Sequence, residues 1–218
     1  MPAPFILASN SPRRRALLAE AGYEFEVVVP AGGELADAQL SLRELTIANA
    51  TRKAMAVARI NPGRVVLAAD TLVAMEGEII GKPRDLNHAR MILRRLSGRT
   101  HDVCTAVCIV CPRERISFAE ISQVRFRKLT ESAITKYFKV VNPIDKAGAY
   151  GAQGAGGSII AAVNGSVTNV IGLPMERTKK ALAQIDIRPL SGSQPQLLGA
   201  GSEPVPADVS IPDKETRQ

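Results

Sequence analysis

Ser9-Asn10-Ser11-Pro12-Arg13-Arg14-Arg15 sets three arginines into the first turn of a helix that Ser11 can cap and Pro12 can open. The dipole is already positive there, so each cation costs about 0.3–1 kcal/mol unless an anion offsets it. A phosphate would do so, held by the free N–H groups of the first turn and by guanidinium forks. Helix positions advance by roughly 100° per residue, so one or two of the arginines can face one ligand. A solvated basic turn is the competing reading. Asp70 follows the buried apolar run Val65-Val66-Leu67-Ala68-Ala69, at the edge of a sheet where α/β proteins place ligands. A carboxylate there can hold a divalent metal, accept a proton from water, or merely cap the next turn. Lys82, between Gly81 and Pro83, sits in a rigid turn that could hold an ammonium against a phosphate or leave it in solvent.

A second group of features is weaker. The stretch from Asp145 to Gly157 is rich in glycine, which lets backbone N–H groups approach a ligand, and it interleaves Lys146, Tyr150 and Gln153. No Gly-Lys-Ser/Thr follows and no strand leads directly in, so it is neither a Walker loop nor a dinucleotide fingerprint. Gln153 can pair with the edge of a base. Cys104, Cys108 and Cys111 have the spacing of some iron–sulfur sites. Strand geometry sends the first two to one face and the third to the other, so they read as small core residues. His101 has no His or Cys at zinc-ligand spacing.

These residues need elements to position them. Phe5-Ala8 reads as a buried strand, followed by the helix opened at Ser11 and stopped by Gly22. Ser41-Leu42-Arg43-Glu44 is a capping box for a helix that Asn61-Pro62-Gly63 ends. The strand 65–69 is expected to stop at Asp70, with a hairpin of 71–75 and 78–80 around Glu76-Gly77. Asp85 caps a helix ended by Gly98, 101–110 pairs with 116–129, and a helix follows Thr130. The Asn164-Gly165 dipeptide predicts a hairpin between 159–163 and 166–171, and a last helix runs from Pro174 to about Ile185. Crossovers mixed with hairpins indicate an α/β (α+β) domain with a mixed sheet.

The chain has 218 residues, 45% hydrophobic and 22% charged, which suits one globular domain with or without a tail. Residues 188–218 hold five of the 14 prolines and no apolar period, and read as a disordered tail beyond a domain of residues 1–187. That tail has three basic and four acidic residues, so the net charge of +7 becomes +8 on the domain. The surplus favours phosphorylated ligands or polyanions. Three cysteines make no disulfide framework, and no run approaches the roughly 18 apolar residues of a membrane span, so a cytoplasmic protein is expected. With five Phe, three Tyr and no Trp, an aromatic platform for single-stranded nucleic acid is disfavoured.

Taken together, Leu7-Ala8-Ser9-Asn10-Ser11-Pro12-Arg13-Arg14, Ala68-Ala69-Asp70-Thr71, Gly81-Lys82-Pro83-Arg84-Asp85, Leu96-Ser97-Gly98-Arg99-Thr100-His101-Asp102-Val103, Asp145 to Gly154 and Gly172-Leu173-Pro174 resemble the Maf family of nucleoside triphosphate pyrophosphatases. The stretches occur in family order over about residues 5 to 185. The resemblance implies a two-lobed fold of the inosine triphosphatase type, a central nucleotide cleft, and release of pyrophosphate with Mg or Mn. Arg13, Thr71 and Gln153 are similar to the branch that prefers dTTP and UTP. The branch preferring 7-methyl-GTP carries an aromatic residue in place of Arg13 and a different pair around Asp70 and Thr71. The resemblance further implies Asp70 as catalytic residue, Ser9, Arg14, Lys53 and Lys82 as substrate-binding residues, Asp70 and Glu34 as metal ligands, and a homodimer. The sequence departs from the family after the first helix, where Ala31-Gly32-Gly33-Glu34-Leu35 keeps only Glu34 of an acidic run. Rival readings are a pyrophosphatase for a modified purine nucleotide and a non-catalytic basic protein that binds nucleic acid or a cell-division partner.

Overall fold

The computed structural model describes residues 4–37 and 39–190. Its element order is β1 (Phe5–Leu7), α1 (Pro12–Glu20), β2 (Phe25–Val27), α2 (Leu42–Ile60), β3 (Val66–Met75), β4 (Glu78–Ile80), α3 (Leu86–Leu96), β5 (Thr100–Val110), β6 (Arg115–Phe126), α4 (Glu131–Val140), β7 (Ile160–Asn164), α5 (Val167–Ile171) and α6 (Met175–Gln184). The helix starts are written locally. Ser11 caps α1, Asp85 caps α3, Thr130 caps α4, and Ser41 with Glu44 forms a reciprocal capping box on α2. Most of the expected tail, residues 191–218, lies outside the described residues. Leu190 still donates its N–H to Gly22 O at 2.9 Å, so ordered contact continues past residue 187.

The strands form one mixed sheet of seven, in the order β2-β1-β3-β5-β6-β7, with β4 also on β3. β1 lies parallel to β2 and β3, and the other pairs are antiparallel. β5 covers one edge of β3 from Val66 to Ala74. On the other edge, β1 reaches only Leu67 and β4 begins only at Val73, so β3 between them has no strand neighbour. That gap is where the chain leaves β1 for α1. It corrects the expectation that a strand stops at Asp70. The carboxylate is paired with a lysine, and the unbroken ladder to β5 carries β3 straight through into the hairpin arm.

The two faces of the sheet carry separate apolar cores. On one face α2 packs Ala50, Ala54 and Val57 against Ile6, Val66, Ala68, Cys104 and Cys108, so the first two cysteines are core residues as expected. On the other face there are two separate apolar cores. One gathers Leu7, Leu18, Leu67, Ala69, Val107 and Leu182, and the other Val73, Leu93, Val103, Phe126, Ile134 and Tyr150. The rung between them, Thr71 opposite Thr105, is polar.

The hairpin predicted around Asn164-Gly165 is not formed. β7 does end there, but it pairs with β6, and residues 167–171 are helical. Gly165 has φ of 110°, and a Cβ on it would stand 2.8 Å from Ser122 Oγ, so the chain turns tightly over β6. Ser166 Oγ then accepts the Asn169 N–H, and the buried Asn169 donates to Val103 O and Ser122 Oγ. A helix cap and buried hydrogen bonds outweigh the strand preference of Val167, Thr168, Val170 and Ile171.

Candidate active site

A cavity of about 380 Å³ opens at the gap beside β3. Ser9, Arg13, Arg14, Glu34, Lys53, Asp70, Thr71 and Lys82 all line it, so the fold gathers eight of the nine residues singled out from the sequence. Gln153 is not in its lining; it is exposed, just before the 3-10 helix Gly154–Ile159 of the glycine-rich loop. Asp145, Lys146, Tyr150 and Gly151 bring that loop to the opposite wall. Five cations and three carboxylates line the space, an excess of positive charge that suits an anion.

Successive strand residues point to opposite faces, so Asp70 and Thr71 serve the cavity differently. Asp70 looks toward α2 and is 2% exposed. Lys53, on α2, donates to Asp70 Oδ1 at 2.5 Å and to Glu34 Oε1 at 2.9 Å, and Lys82 donates to the same Glu34 oxygen at 2.9 Å. Asp70 Oδ2 is buried without a hydrogen-bond partner. Burial alone would raise the Glu34 carboxyl, but hydrogen bonds and charge from Lys53 and Lys82 hold it down at about 2. Glu34 is thus tied into the Asp70 cluster. Nothing local in its sequence marks that contact, because it is made across α2 and the turn holding Lys82.

Arg14 proves to be a strut. Its Nε donates to Gly172 O at 2.8 Å, Nη1 to Ser9 Oγ at 3.3 Å and Nη2 to Thr71 Oγ1 at 3.1 Å. Burial lowers its pKa, with Asp70 acting in the opposite direction. Arg13, one position earlier, points across the cleft to Asp145 at 3.5 Å. The two arginines therefore differ, as a 100° step requires. Ser9 Oγ also accepts the Ser11 N–H, which fixes the entry into α1.

The glycine-rich loop is held from beneath. The Tyr137 hydroxyl accepts the Gly151 N–H at 3.0 Å, and the Tyr150 hydroxyl meets His101 Nε2 at 2.8 Å. His101 packs edge-on against Phe126 and Tyr150. Burial lowers its pKa to about 4, so it is neutral at pH 7 and is a core residue. Neither His101 nor Thr105 was assigned to the site from the sequence. Each lies in a regular strand with no local signal of its role.

Among the described residues no group of three or more His, Cys, Asp or Glu side chains is arranged to hold a metal. Glu34 and Asp70 are nonetheless hard oxygen donors in one cluster, and Asp70 Oδ2 is uncommitted. One or two carboxylates completed by substrate phosphates are a common magnesium environment, so the residues present fit such an ion.

The family model for Maf-like protein matches residues 4–185. The dTTP/UTP pyrophosphatase of Akkermansia muciniphila is 47% identical over 85% of this chain and 98% of its own length. Those of Symbiobacterium thermophilum and Salmonella typhimurium are 46% and 43% identical, over 82% and 83% of this chain and 92% of each relative. Among solved structures, the Staphylococcus aureus Ham1 protein is similar over 56% of this chain and 71% of its own, at 16% identity and a TM-score of 0.41.

Proposed function

The chain belongs to the Maf-like protein family, and from that membership and its cleft we propose that it hydrolyses dTTP and UTP to the monophosphate and pyrophosphate. Water attacks the α-phosphorus, the bond to the bridging oxygen of the β-phosphate breaks, and pyrophosphate leaves. The observation that carries this reading is Asp70 Oδ2, a buried and unpartnered carboxylate oxygen set among Lys53, Lys82 and Glu34 at the edge of a cationic cavity.

In this mechanism Asp70 Oδ2 takes the proton of the attacking water, while Lys53 holds Oδ1 and so orients the carboxylate. Lys82, Lys53 and Arg13 neutralise the triphosphate, whose charge must be screened before a nucleophile can approach. Ser9 and the first turn of α1 offer donors to a phosphate, and Arg14 keeps that turn fixed against Thr71 and Gly172. Thr71 faces the base, with Gln153 reaching it from the exposed rim. In place of that base role, Asp70 Oδ2 would hold Mg or Mn together with Glu34, and the ion would supply charge stabilisation at the transition state. The acting form is a homodimer, which light scattering checks.

Pyrophosphate release from a panel of UTP, dTTP, CTP, 7-methyl-GTP and the purine triphosphates with magnesium tests the activity. Release from UTP and dTTP above the others is expected, and none from any of them would overturn it. Asp70→Asn should lower kcat by on the order of 10²–10⁴ with an unchanged circular dichroism spectrum. Full turnover by that variant would remove Asp70 from its role.

A further inference from the structure

We infer that Thr105, buried beneath the cleft, is a positioning residue that makes the Thr71 hydroxyl an acceptor only, so that the site requires an N–H donor from the base. The inference rests on the dTTP/UTP reading above and deepens it. The donor that uracil and thymine share, and cytosine lacks, is the imide N3–H.

Counting protons establishes the polarity. Thr105 is fully buried, and its Oγ1 lies 2.8 Å from the carbonyl oxygen of Asn169. A carbonyl can only accept, so the single Thr105 proton is committed to it. Thr71 Oγ1 lies 2.9 Å from Thr105 Oγ1 and must therefore donate its own proton there. Arg14 Nη2, 3.1 Å away, can only donate to Thr71. Each threonine hydroxyl has one proton and two lone pairs. Thr71 is left with one lone pair and no proton to offer a ligand.

The chain of donors is anchored at both ends. Asn169 is fully buried, and its side-chain amide donates to Val103 O at 3.0 Å and Ser122 Oγ at 2.9 Å, so the accepting carbonyl cannot swing away. Arg14 is pinned by Ser9 and Gly172 O. The space beside Thr71 is kept by Gly172, where φ is 126° and a Cβ would stand 3.5 Å from Thr71 Oγ1. A free threonine rotor would accept from uracil or donate to the bare N3 of cytosine equally well. A pinned one meets cytosine N3 lone pair to lone pair, and sites built around one hydrogen bond reject analogues lacking it by large factors.

The test compares kcat/KM for UTP and CTP in the wild type, Thr105→Val and Thr105→Ser. A wild-type preference for UTP should narrow by about tenfold or more in Thr105→Val, through a gain on CTP, and return in Thr105→Ser, which restores the relay. An unchanged ratio in Thr105→Val would overturn the inference while leaving the pyrophosphatase reading intact. Absence of UTP and dTTP turnover in the wild type would overturn that reading, and this inference with it. Should the valine variant not fold, N3-methyluridine triphosphate on the wild type decides: turnover equal to UTP overturns the inference, and loss of about tenfold or more supports it.

Discussion

Arg13 and Arg14 are adjacent and chemically identical, yet one spans the cleft to Asp145 and the other is spent on Ser9, Thr71 and Gly172. The spacing of helix positions foretells that they separate, but which faces inward depends on where β3 and α5 pack. His101 shows the same limit. Its buried ring is held neutral, with a pKa of about 4 against an ordinary 6.5. The unfolded chain takes up a proton as the pH falls through 6.5, whereas the folded chain resists until about 4, so stability present above that window is lost across it. The loss can reach roughly 3 kcal/mol. Urea unfolding between pH 7 and 4 should show this slope, and His101→Gln should flatten it. An identical slope in the variant would show that other groups cause the acid sensitivity.

Helix caps were the most legible elements, because Ser11, Ser41, Asp85 and Thr130 act through backbone groups three residues away. β3 and α5 were not legible, because their nature depends on distant partners. β3 runs on past Asp70 because β5 pairs with it throughout, and 167–171 is helical because Asn169 is anchored on β5 and β6. Ser166 should therefore matter beyond its exposure. Ser166→Ala removes the cap of α5 and should cost about 1 kcal/mol in denaturant unfolding. It should also weaken the Thr71 to Asn169 relay, seen as a smaller UTP to CTP preference. A variant as stable as the wild type would mean that tertiary contacts alone hold α5.

The +8 assigned to residues 1–187 finds part of its use in the cavity, where cations exceed carboxylates. Other basic residues are paired on the surface, as Arg94 is with Glu131 and Arg95 with Glu78. No helix among the described residues is long and apolar enough to cross a membrane. The family match ends at residue 185, and the cavity takes nothing beyond Gly172. Truncation after Leu190, which keeps the bond from that residue to Gly22, should leave kcat/KM for UTP and the melting temperature unchanged. A large loss of either would show that the segment docks on the domain.

Caps, the alternating pattern of the strands and the grouping of basic with acidic residues follow from neighbours a few positions apart, so composition and spacing sufficed to name the mixed α/β class and to single out the Arg13–Arg14 turn, Asp70 and Lys82, while Ser9, Glu34, Lys53 and Thr71 came from the family resemblance. Placing Glu34 on Lys53 and Lys82, turning Arg14 into a strut and assigning a direction to the Thr71 hydroxyl all required contacts between residues far apart in the chain. The Glu34 and Arg14 contacts line the cavity at the gap that β1 and β4 leave on one edge of β3, and the Thr71 contact is made to β5 on the other edge. The gap between β1 and β4 is a property of the sheet, and no single segment encodes it.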